Sequence, residues 1–159
     1  MAPQTRDPVS AYIALGANQG DALGSVRSAL QALAQLPDTQ LLAASSLYRS
    51  APHQAQGPDF INAVAHLQTR LSAPNLLTAL QALEQQAGRV RSYANAPRPL
   101  DLDIVFYGDA KVNSPRLTLP HPRWLERAFV LLPLQEVARH KVVQVMLHAV
   151  AHQPIEKIS

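Results

Sequence analysis

The segment 98–108, R-P-L-D-L-D-I-V-F-Y-G, contains two carboxylates separated by one residue in an otherwise apolar strand. Strand alternation directs Asp101 and Asp103 to one face together with Val105. The opposite face then carries the apolar residues Leu100, Leu102, Ile104 and Phe106. Neighbouring carboxylates repel each other, and oxygen ligands suit a hard cation such as Mg2+ that also contacts substrate phosphates. The pair therefore predicts a metal–nucleotide site, although a D-x-D pattern alone is more typical of a solvated strand face whose acids pair with arginines.

Length and composition favour one globular domain. The 159 residues are 47% hydrophobic and 16% charged, a balance typical of a folded domain with a sizeable core. The absence of cysteine excludes disulfides and thiolate metal sites. No secretion signal and no membrane-spanning stretch is evident, so a cytoplasmic protein is expected. We expect a single domain over 1–159, with poorly ordered tails over 1–10 and 150–159.

The basic residues are mostly arginine, because lysine occurs only at 111, 141 and 157. A cluster of arginines lies between 89 and 127: Arg89, Arg91, Arg98, Arg116, Arg123 and Arg127. Guanidinium groups match pairs of phosphate oxygens, which suits a polyphosphate ligand. A codon bias towards arginine would explain the ratio but not the clustering. Nucleic acid is a weaker candidate, because only 5% of the residues are aromatic and no basic run alternates with aromatics.

The order of the predicted elements indicates an α+β fold. Apolar strands are expected at 11–16, 41–50 and 60–69 and in the D-L-D segment. With a helix after the first strand and another after the third, the order is β-α-β-β-α-β, typical of a ferredoxin-like core. Such a core is an antiparallel sheet with both helices on one face, which leaves the other face for ligands. An additional C-terminal hairpin is expected over 111–119, and helices near 123–138 and 142–151.

The two core helices have recognisable N-caps at Asp21 and Ser72. The second helix carries a core stripe at Leu76, Leu80, Leu83 and Ala87. A different stripe of the same helix carries Leu77, Gln81 and Glu84. A polar stripe is usually the solvated side of a helix, but here it could also line a nucleotide base.

The third strand repeats the alternation of the D-L-D strand. Ile61, Ala63, Ala65 and Leu67 can pack under the helices, while Phe60, Asn62, Val64 and His66 share the other face. Phe60 and Asn62 would then lie beside the aspartates, and a stacking ring with an amide suits a planar, hydrogen-bonding heterocycle. The alternative is a surface aromatic residue and an ordinary strand-end asparagine.

Two loops complete the candidate site. The loop 88–99 has three arginines and could close over phosphates to exclude water, or it is an exposed loop without a role. His121 lies in L-T-L-P-H-P, where a histidine between prolines is more often a turn residue, and Arg127 and Phe129 follow it. None of the histidines combines a metal-ligand spacing such as H-x-x-x-H with a neighbouring acid, so a zinc site is not expected, and a phosphate-binding P-loop and a serine-nucleophile motif are absent from the sequence.

Several segments, taken in order, resemble the 6-hydroxymethyl-7,8-dihydropterin pyrophosphokinase family of folate biosynthesis. They are A-Y-I-A-L-G-A-N, S-S-L-Y-R-S-A-P, D-F-I-N-A-V, E-Q-Q-A-G-R-V-R, A-P-R-P-L-D-L-D-I, R-L-T-L-P-H-P and R-A-F-V-L-L-P-L. P-R-x-L-D-L-D-I together with L-x-x-P-H is the specific part. The resemblance implies Mg-dependent transfer of diphosphate from ATP to the hydroxymethyl group, giving AMP and the dihydropterin diphosphate.

The resemblance also implies a role for each motif residue. Asp101 and Asp103 would bind two Mg2+ ions that bridge the ATP phosphates. Phe60 and Phe129 would sandwich the pterin, and Asn62 would read its pyrimidine edge. Further pterin contacts would come from Ser50, Ala51, Pro52 and His53.

For ATP, the resemblance implies a lining set of Leu77, Gln81, Glu84, Ile104, Leu117, Thr118 and His121. Phosphate handling and loop closure would fall to Arg89, Arg91, Arg98, Arg116 and Arg127. Arg89 and Arg98 join the two aspartates as the predicted catalytic residues, with Arg98 balancing charge on the moving group.

Two other functional classes fit a ferredoxin-like sheet. A non-catalytic small-molecule-binding module would need no metal at the aspartates. An RNA-binding sheet would carry stacked aromatics and basic groups where this chain has acids. The partners expected here are ATP and the pterin, with no nucleic acid, no membrane and a monomeric state.

Overall fold

The structure is a computed structural model that describes residues 6–52, 57–88 and 99–158. Its main sheet is formed by strands β1 (Val9–Ala17), β2 (Thr39–Ala44), β3 (Tyr48–Ser50), β4 (Phe60–Thr69), β5 (Asp101–Tyr107) and β8 (Ile155–Lys157). A separate hairpin pairs β6 (Val112–Asn113) with β7 (Thr118–Leu119). The helices are α1 (Ala22–Leu33), α2 (Ala73–Gln86), α3 (Ala128–Val137) and α4 (Gln144–Ala149), with short 3-10 turns at Trp124–Glu126 and Arg139–Lys141.

The strand order of the main sheet is β5-β1-β4-β3-β8, with β2 also pairing with β4, and all of these pairings are antiparallel. The central strand β1 is therefore flanked by β4 on one side and β5 on the other. This arrangement confirms the predicted α+β, ferredoxin-like fold.

The two core helices begin where the sequence predicts. The Asp21 carboxylate accepts a hydrogen bond from the Gly24 N–H at 3.0 Å, and the Ser72 hydroxyl accepts one from the Asn75 N–H at 3.2 Å. Both contacts satisfy backbone donors that a helix start leaves unpaired. At the end of α2 the prediction is wrong for Ala87, which is the exposed C-cap residue and not part of the core.

The main core lies between the sheet and helices α1 and α2. The predicted apolar face of β4 is confirmed, because Ile61, Ala63, Ala65 and Leu67 all belong to this core. Leu33, Leu76 and Leu80 from the helices are fully buried against it. Each fully buried leucine of this kind stabilises the fold by roughly 1.5–3 kcal/mol relative to an exposed one.

A second core on the opposite face corrects the expectation that this face is left open. Helix α3 packs there, and Leu131 and Leu134 contact a sheet surface made by Tyr12, Val64 and Val105. The apolar composition of α3 explains the burial, because a helix that is apolar on most sides needs cover. Among the described residues, the end of this face that carries Asn62 and Asp101 lies outside the second core.

Phe106 lies on this second face, whereas alternation predicts it beside Leu102 and Ile104. The reason is an irregularity in the pairing of β1 with β5. Tyr12 pairs with Phe106 while the next residue of β1 pairs with Ile104, so one extra residue is inserted in β5. A bulge of this kind resets the alternation.

The predicted strand 41–50 is also interrupted, giving β2 and β3. Ser45 lies at the break, where its N–H donates to the Val64 carbonyl and its hydroxyl accepts from the Val64 N–H, both at 2.9 Å. The hydroxyl substitutes for a ladder acceptor, so the chain leaves regular strand geometry without losing hydrogen bonds.

Residues from both predicted tails belong to strands of the main sheet. β1 already begins at Val9, and β8 pairs with β3 through the partners Tyr48–Lys157, Arg49–Glu156 and Ser50–Ile155. The Arg49 guanidinium also donates to the Glu156 carboxylate at 2.9 Å. Across the described ranges, no helix is both long and apolar enough to cross a membrane.

Candidate active site

The candidate site is centred on Gly16 in the middle strand. Gly16 pairs with Asn62 of β4 on one side and with Asp101 of β5 on the other. The next row along the sheet pairs Ala14 with Val64 and Asp103. Because neighbouring strands are about 4.8 Å apart, the backbones of Asn62 and Asp101 are about 10 Å apart. The predicted amide and carboxylates therefore lie on one face, as expected.

Gly16 keeps the space between these two sides clear. A Cβ atom on Gly16 would lie 3.2 Å from the Asn62 amide nitrogen and 3.9 Å from the Phe60 ring. The first of these distances is tighter than an ordinary van der Waals contact. The missing side chain therefore lets the Asn62 amide lie over the middle strand, towards Asp101.

Asn62 and Ser50 form a buried hydrogen-bonded pair. The side chains are 2% and 5% exposed, respectively. The Ser50 hydroxyl donates to the Asn62 Oδ1 at 2.6 Å, across the pairing in which Ser50 is the partner of Phe60. Because this buried hydrogen bond holds Oδ1 next to Ser50, it fixes the orientation of the Asn62 amide. Its amino group is the end that lies above Gly16.

Asp101 and Asp103 are half-buried at the start of β5. Their neighbours across the middle strand are Gly16 and Ala14, whose side chains bring no competing charge. Each carboxylate provides two oxygen atoms on the same face of the sheet, a donor set that suits a hard divalent cation. No group of three or more histidine, cysteine and acidic side chains that could hold a metal is found in the parts of the chain that the structure describes.

Glu84 holds the strand between the two aspartates. Its carboxylate accepts a hydrogen bond from the Leu102 N–H at 2.8 Å, and the side chain is 6% exposed. The sequence placed Glu84 on a stripe apart from the core leucines, but it lies on the buried side of α2 with Leu80. Gln81 of the same predicted stripe is exposed. β5 is an edge strand of the main sheet, so the Leu102 N–H, which points away from β1, needs such an acceptor.

His121 is fixed next to β5 by two backbone contacts. Its N–H donates to the Val105 carbonyl at 2.9 Å, and its Nδ1 accepts from the Arg123 N–H at 3.1 Å. The neutral ring therefore carries its proton on Nε2. Burial lowers the pKa of His121, and the charges of Arg127 and Arg123 lower it further, against the opposing effect of Asp103.

Arg127 precedes α3 and brings a positive charge towards the carboxylates. Its guanidinium lies 5.3 Å from the centre of the Phe129 ring. Burial lowers the pKa of Arg127, as does Arg123, while the carboxylates of Asp103 and Asp101 act in the opposite direction. His121, Arg127 and the two aspartates thus form one electrostatically linked group.

The other predicted ATP residues are more dispersed. Arg116 donates to the Thr78 hydroxyl of α2 at 2.7 Å, and Thr118 lies in the hairpin opposite Asn113. Leu77 and Leu117 are partly buried against the main core. Ile104 is buried in that core and therefore lies on the face away from the aspartates.

Of the residues predicted to contact the pterin, Phe60 is half-buried, and Phe129 packs partly into the second core. Ala51 and Pro52 continue from β3, where the Ala51 N–H points to the Pro154 carbonyl at 3.4 Å. Four predicted site residues lie outside the described residues: His53, Arg89, Arg91 and Arg98.

Sequence reasoning missed Gly16 as a site residue. It lies in the motif A-L-G-A-N, and strand alternation from Ala14 already predicts it on the aspartate face. A glycine inside a strand is a signal for close approach by another group, and it was available from the sequence.

Comparisons with known proteins find relatives over most of the chain. A sequence model of the 7,8-dihydro-6-hydroxymethylpterin-pyrophosphokinase family (HPPK) matches residues 12–139. The 2-amino-4-hydroxy-6-hydroxymethyldihydropteridine pyrophosphokinase of Haemophilus influenzae is 43% identical over 136 residues, covering 85% of each chain. The Pseudomonas aeruginosa protein of the same name is 46% identical over 128 residues, covering 80% of this chain and 79% of its own.

A solved structure supports the fold separately. The chain described as an HPPK-DHPS in complex with substrates aligns with a TM-score of 0.61 at 11% sequence identity. The alignment covers 91% of this chain but 43% of that one, so this chain spans less than half of its length. The resemblance drawn from the sequence motifs is confirmed: the chain belongs to the 7,8-dihydro-6-hydroxymethylpterin-pyrophosphokinase family.

Proposed function

We propose that this protein transfers the β,γ-diphosphate of ATP to the hydroxymethyl oxygen of 6-hydroxymethyl-7,8-dihydropterin, giving AMP and the dihydropterin diphosphate in folate biosynthesis. The observation that carries the proposal is the row Asn62–Gly16–Asp101 across three adjacent strands. It brings an amide that can read a heterocycle and a carboxylate that can bind cations and phosphates onto one face, on either side of Gly16 in the strand pairing.

The pterin binds on the Asn62 side. The pyrimidine edge of a pterin presents donors and acceptors in a fixed pattern, and an oriented amide can match such a pattern with two hydrogen bonds. Phe60 and Phe129 supply aromatic faces for stacking, which is worth roughly 0.5–1.5 kcal/mol per ring pair beyond area burial. Ser50 holds the amide in place, so binding does not have to fix its orientation.

The ATP phosphates bind on the Asp101 side, where two Mg2+ ions would be held by Asp101 and Asp103. These residues fit the ions because their carboxylates share one face and Gly16 and Ala14 place no side-chain charge between them. When bound, Mg2+ neutralises phosphate charge and lowers the pKa of a bound hydroxyl.

The protein's own groups position the reactants and balance charge. In the transfer, the hydroxymethyl oxygen forms a bond to the β-phosphorus, the bond from that phosphorus to the AMP oxygen breaks, and the hydroxyl proton leaves to solvent. The charge of Arg127 interacts with those of Asp103 and Asp101, and in the proposed site it stabilises the negative charge of the phosphates. His121 in its neutral form presents Nε2–H as a hydrogen-bond donor on the same side. Arg89 and Arg98 are proposed to complete this charge balance.

A direct experiment is to incubate the protein with ATP, Mg2+ and 6-hydroxymethyl-7,8-dihydropterin and to identify the nucleotide product. The proposal predicts AMP in equal amount to the dihydropterin diphosphate. Formation of ADP would indicate transfer of a single phosphoryl group, and absence of any nucleotide product would favour a non-catalytic binding module. A cytoplasmic location and a monomeric state stay predictions from the sequence.

A further inference from the structure

Glu136, near the end of α3, connects that helix to the chain between β2 and β3. Its Oε1 accepts a hydrogen bond from the Ser46 N–H at 2.9 Å, and its Oε2 accepts one from the Tyr48 hydroxyl. Both oxygens of one carboxylate are therefore used to hold a helix against a strand that is remote in sequence. We call these two contacts the Glu136 bridge.

The bridge is attached to the strand that carries the pterin side of the site. Tyr48 pairs directly with Asn62 in the register of β3 with β4. Ser50, which holds the Asn62 amide, lies two residues further along β3 and so on the same face as Tyr48. A displacement of Tyr48 would therefore be passed on to the Ser50–Asn62 pair.

The other end of α3 carries Phe129. Phe129 lies seven residues before Glu136, which places the two on the same side of the helix and about 10 Å apart along its axis. Phe129, near the start of α3, packs partly into the second core. The Glu136 bridge attaches the C-terminal end of the same helix to the sheet. The start of α3 is held separately, because the Ala128 N–H donates to the Gln153 Oε1 at 2.8 Å. This contact and the bridge together hold the angle of α3 against the sheet, and with it the position of Phe129.

The electrostatics favour a carboxylate that stays charged and a phenol that stays protonated. Burial opposes ionisation of Glu136, but hydrogen bonds from Tyr48 and Ser46 and the charge of Lys157 outweigh it and lower its pKa. Burial and the neighbouring Glu136 raise the pKa of Tyr48. Hydrogen bonds to an ionised acceptor are stronger than those to a neutral one. Glu136 is exposed, so contact with water reduces this gain in strength.

We propose that Glu136 is a positioning residue for the pterin: through the bridge it fixes the separation between Phe129 on α3 and Asn62 on β4. The proposal rests on the proposed function, because it assigns the pterin to the space between these two side chains. Glu136 does not touch the substrate. Its removal should weaken pterin binding more than ATP binding, because Asp101 and Asp103 are anchored on β5, and of the described residues on the ATP side Arg127 alone borders α3.

The first measurement tests the bridge without any ligand. Hydrogen exchange at the Ser46 amide should be faster in the Glu136→Ala variant than in the wild type, by about tenfold for a lost hydrogen bond of ordinary strength. The Val64 amide, which donates to Ser45 and not to Glu136, serves as an internal reference. Unchanged exchange at Ser46 would contradict the bridge itself.

The second measurement is calorimetric binding of 6-hydroxymethylpterin and, separately, of a non-hydrolysable ATP analogue with Mg2+. For Glu136→Ala, the pterin Kd should rise about fivefold and the ATP-analogue Kd should change by less than about twofold. Tyr48→Phe removes one hydroxyl without a cavity and should give a smaller rise in the pterin Kd. Glu136→Gln can keep one acceptor and should recover most of the loss.

Glu156→Gln is the matched control, because this carboxylate also binds β3 from outside, through Arg49, but does not contact α3. It should leave both dissociation constants unchanged. Equal weakening of both ligands in Glu136→Ala, or an unchanged pterin Kd, would overturn the positioning role. If the wild type itself fails to bind the pterin, the proposed function fails and this role with it, while the Ser46 exchange still reports on the bridge.

Discussion

The two sides of the candidate site lie on one face of one sheet but are built from different interactions. On the Asn62 side, the polar groups are neutral, buried and hydrogen-bonded to each other, as in the Ser50–Asn62 pair. On the Asp101 side, the groups are charged and half-buried, and they are linked to Arg127 mainly through their charges.

The difference follows from what each ligand brings. A neutral heterocycle is recognised by the direction of its hydrogen bonds, so the protein must fix the orientation of its own groups before binding. A polyphosphate brings high charge and its cations, so the protein must supply charge of both signs with access to water and ions. Gly16 lies between the two sides and pairs with Asn62 on one and with Asp101 on the other.

The largest effect is expected on the charged side. Asp103→Asn keeps the shape of the side chain but removes a charge and a proposed Mg2+ ligand, so kcat/KM should fall about 1,000-fold, or about 4 kcal/mol. Steady-state kinetics with saturating ATP and Mg2+ would measure this. Asp109→Asn, an exposed acid in the turn after β5, is the control and should keep full activity. Near-normal turnover by Asp103→Asn would rule out the metal role.

A smaller effect, and a selective one, is expected on the amide side. Asn62→Ala removes the amide that is proposed to read the pterin and leaves the Ser50 hydroxyl without its buried partner. The KM for the pterin should rise about 30- to 100-fold, or about 2–3 kcal/mol, while the KM for ATP changes by less than about threefold. Asn113→Ala, an exposed residue of β6, serves as the control. A similar rise in both KM values would mean that the two sides are not separable.

The boundary between the sides can be tested through Gly16. In Gly16→Ala, the added carbon would approach the Asn62 amide nitrogen to 3.2 Å and displace it. Pterin affinity should fall about tenfold by calorimetry, with little change in the melting temperature. The decisive control is the same substitution in the Asn62→Ala background, where the crowding is gone and no further loss is expected. Additive losses in the double variant would assign Gly16 a role of its own.

The smallest expected effect concerns the pH dependence of stability and arises at His66, which belongs to neither side of the site. The His66 ring stacks on Tyr12 at 4.4 Å, and its pKa is lowered from 6.5 by burial and then by the charge of His140. The folded protein therefore binds this proton less tightly than the unfolded chain. The stability that His66 contributes is present above pH 6.5 and is lost as the pH falls from 6.5 through the lower folded-state pKa.

The melting temperature of the wild type should thus fall more between pH 7 and pH 5.5 than that of His66→Gln. His152→Gln, at an exposed position, is the control and should follow the wild type. Ligand affinities at pH 7 should be the same in all three proteins. A pH dependence unchanged in His66→Gln would show that the stacked ring is not the titrating group.

Local signals made much of the fold predictable. The caps at Asp21 and Ser72 and the alternation along β4 depend on neighbours within a few residues, and the structure confirms them. The reversal at Phe106 depends on a bulge between β1 and β5, which arises from pairing with a distant strand. Such a shift leaves no trace in the alternation itself.

The site divides in the same way. Asp101, Asp103 and Asn62 could be assigned to one face from strand alternation alone. The burial of Glu84 against the Leu102 N–H could not be predicted in this way, because it depends on how α2 packs against the edge strand β5. Likewise, the cover that α3 provides and the Glu136 bridge join segments about 90 residues apart, beyond the reach of local patterns.

The separation of the two sides is tested most directly by calorimetric titration of 6-hydroxymethylpterin into the Asp103→Asn and Asn62→Ala variants, without nucleotide. We predict that Asp103→Asn binds the pterin as the wild type does, within about twofold, and that Asn62→Ala binds it about 30-fold or more weakly. Loss of pterin affinity in Asp103→Asn that equals the loss in Asn62→Ala would contradict a site with separate amide and carboxylate sides.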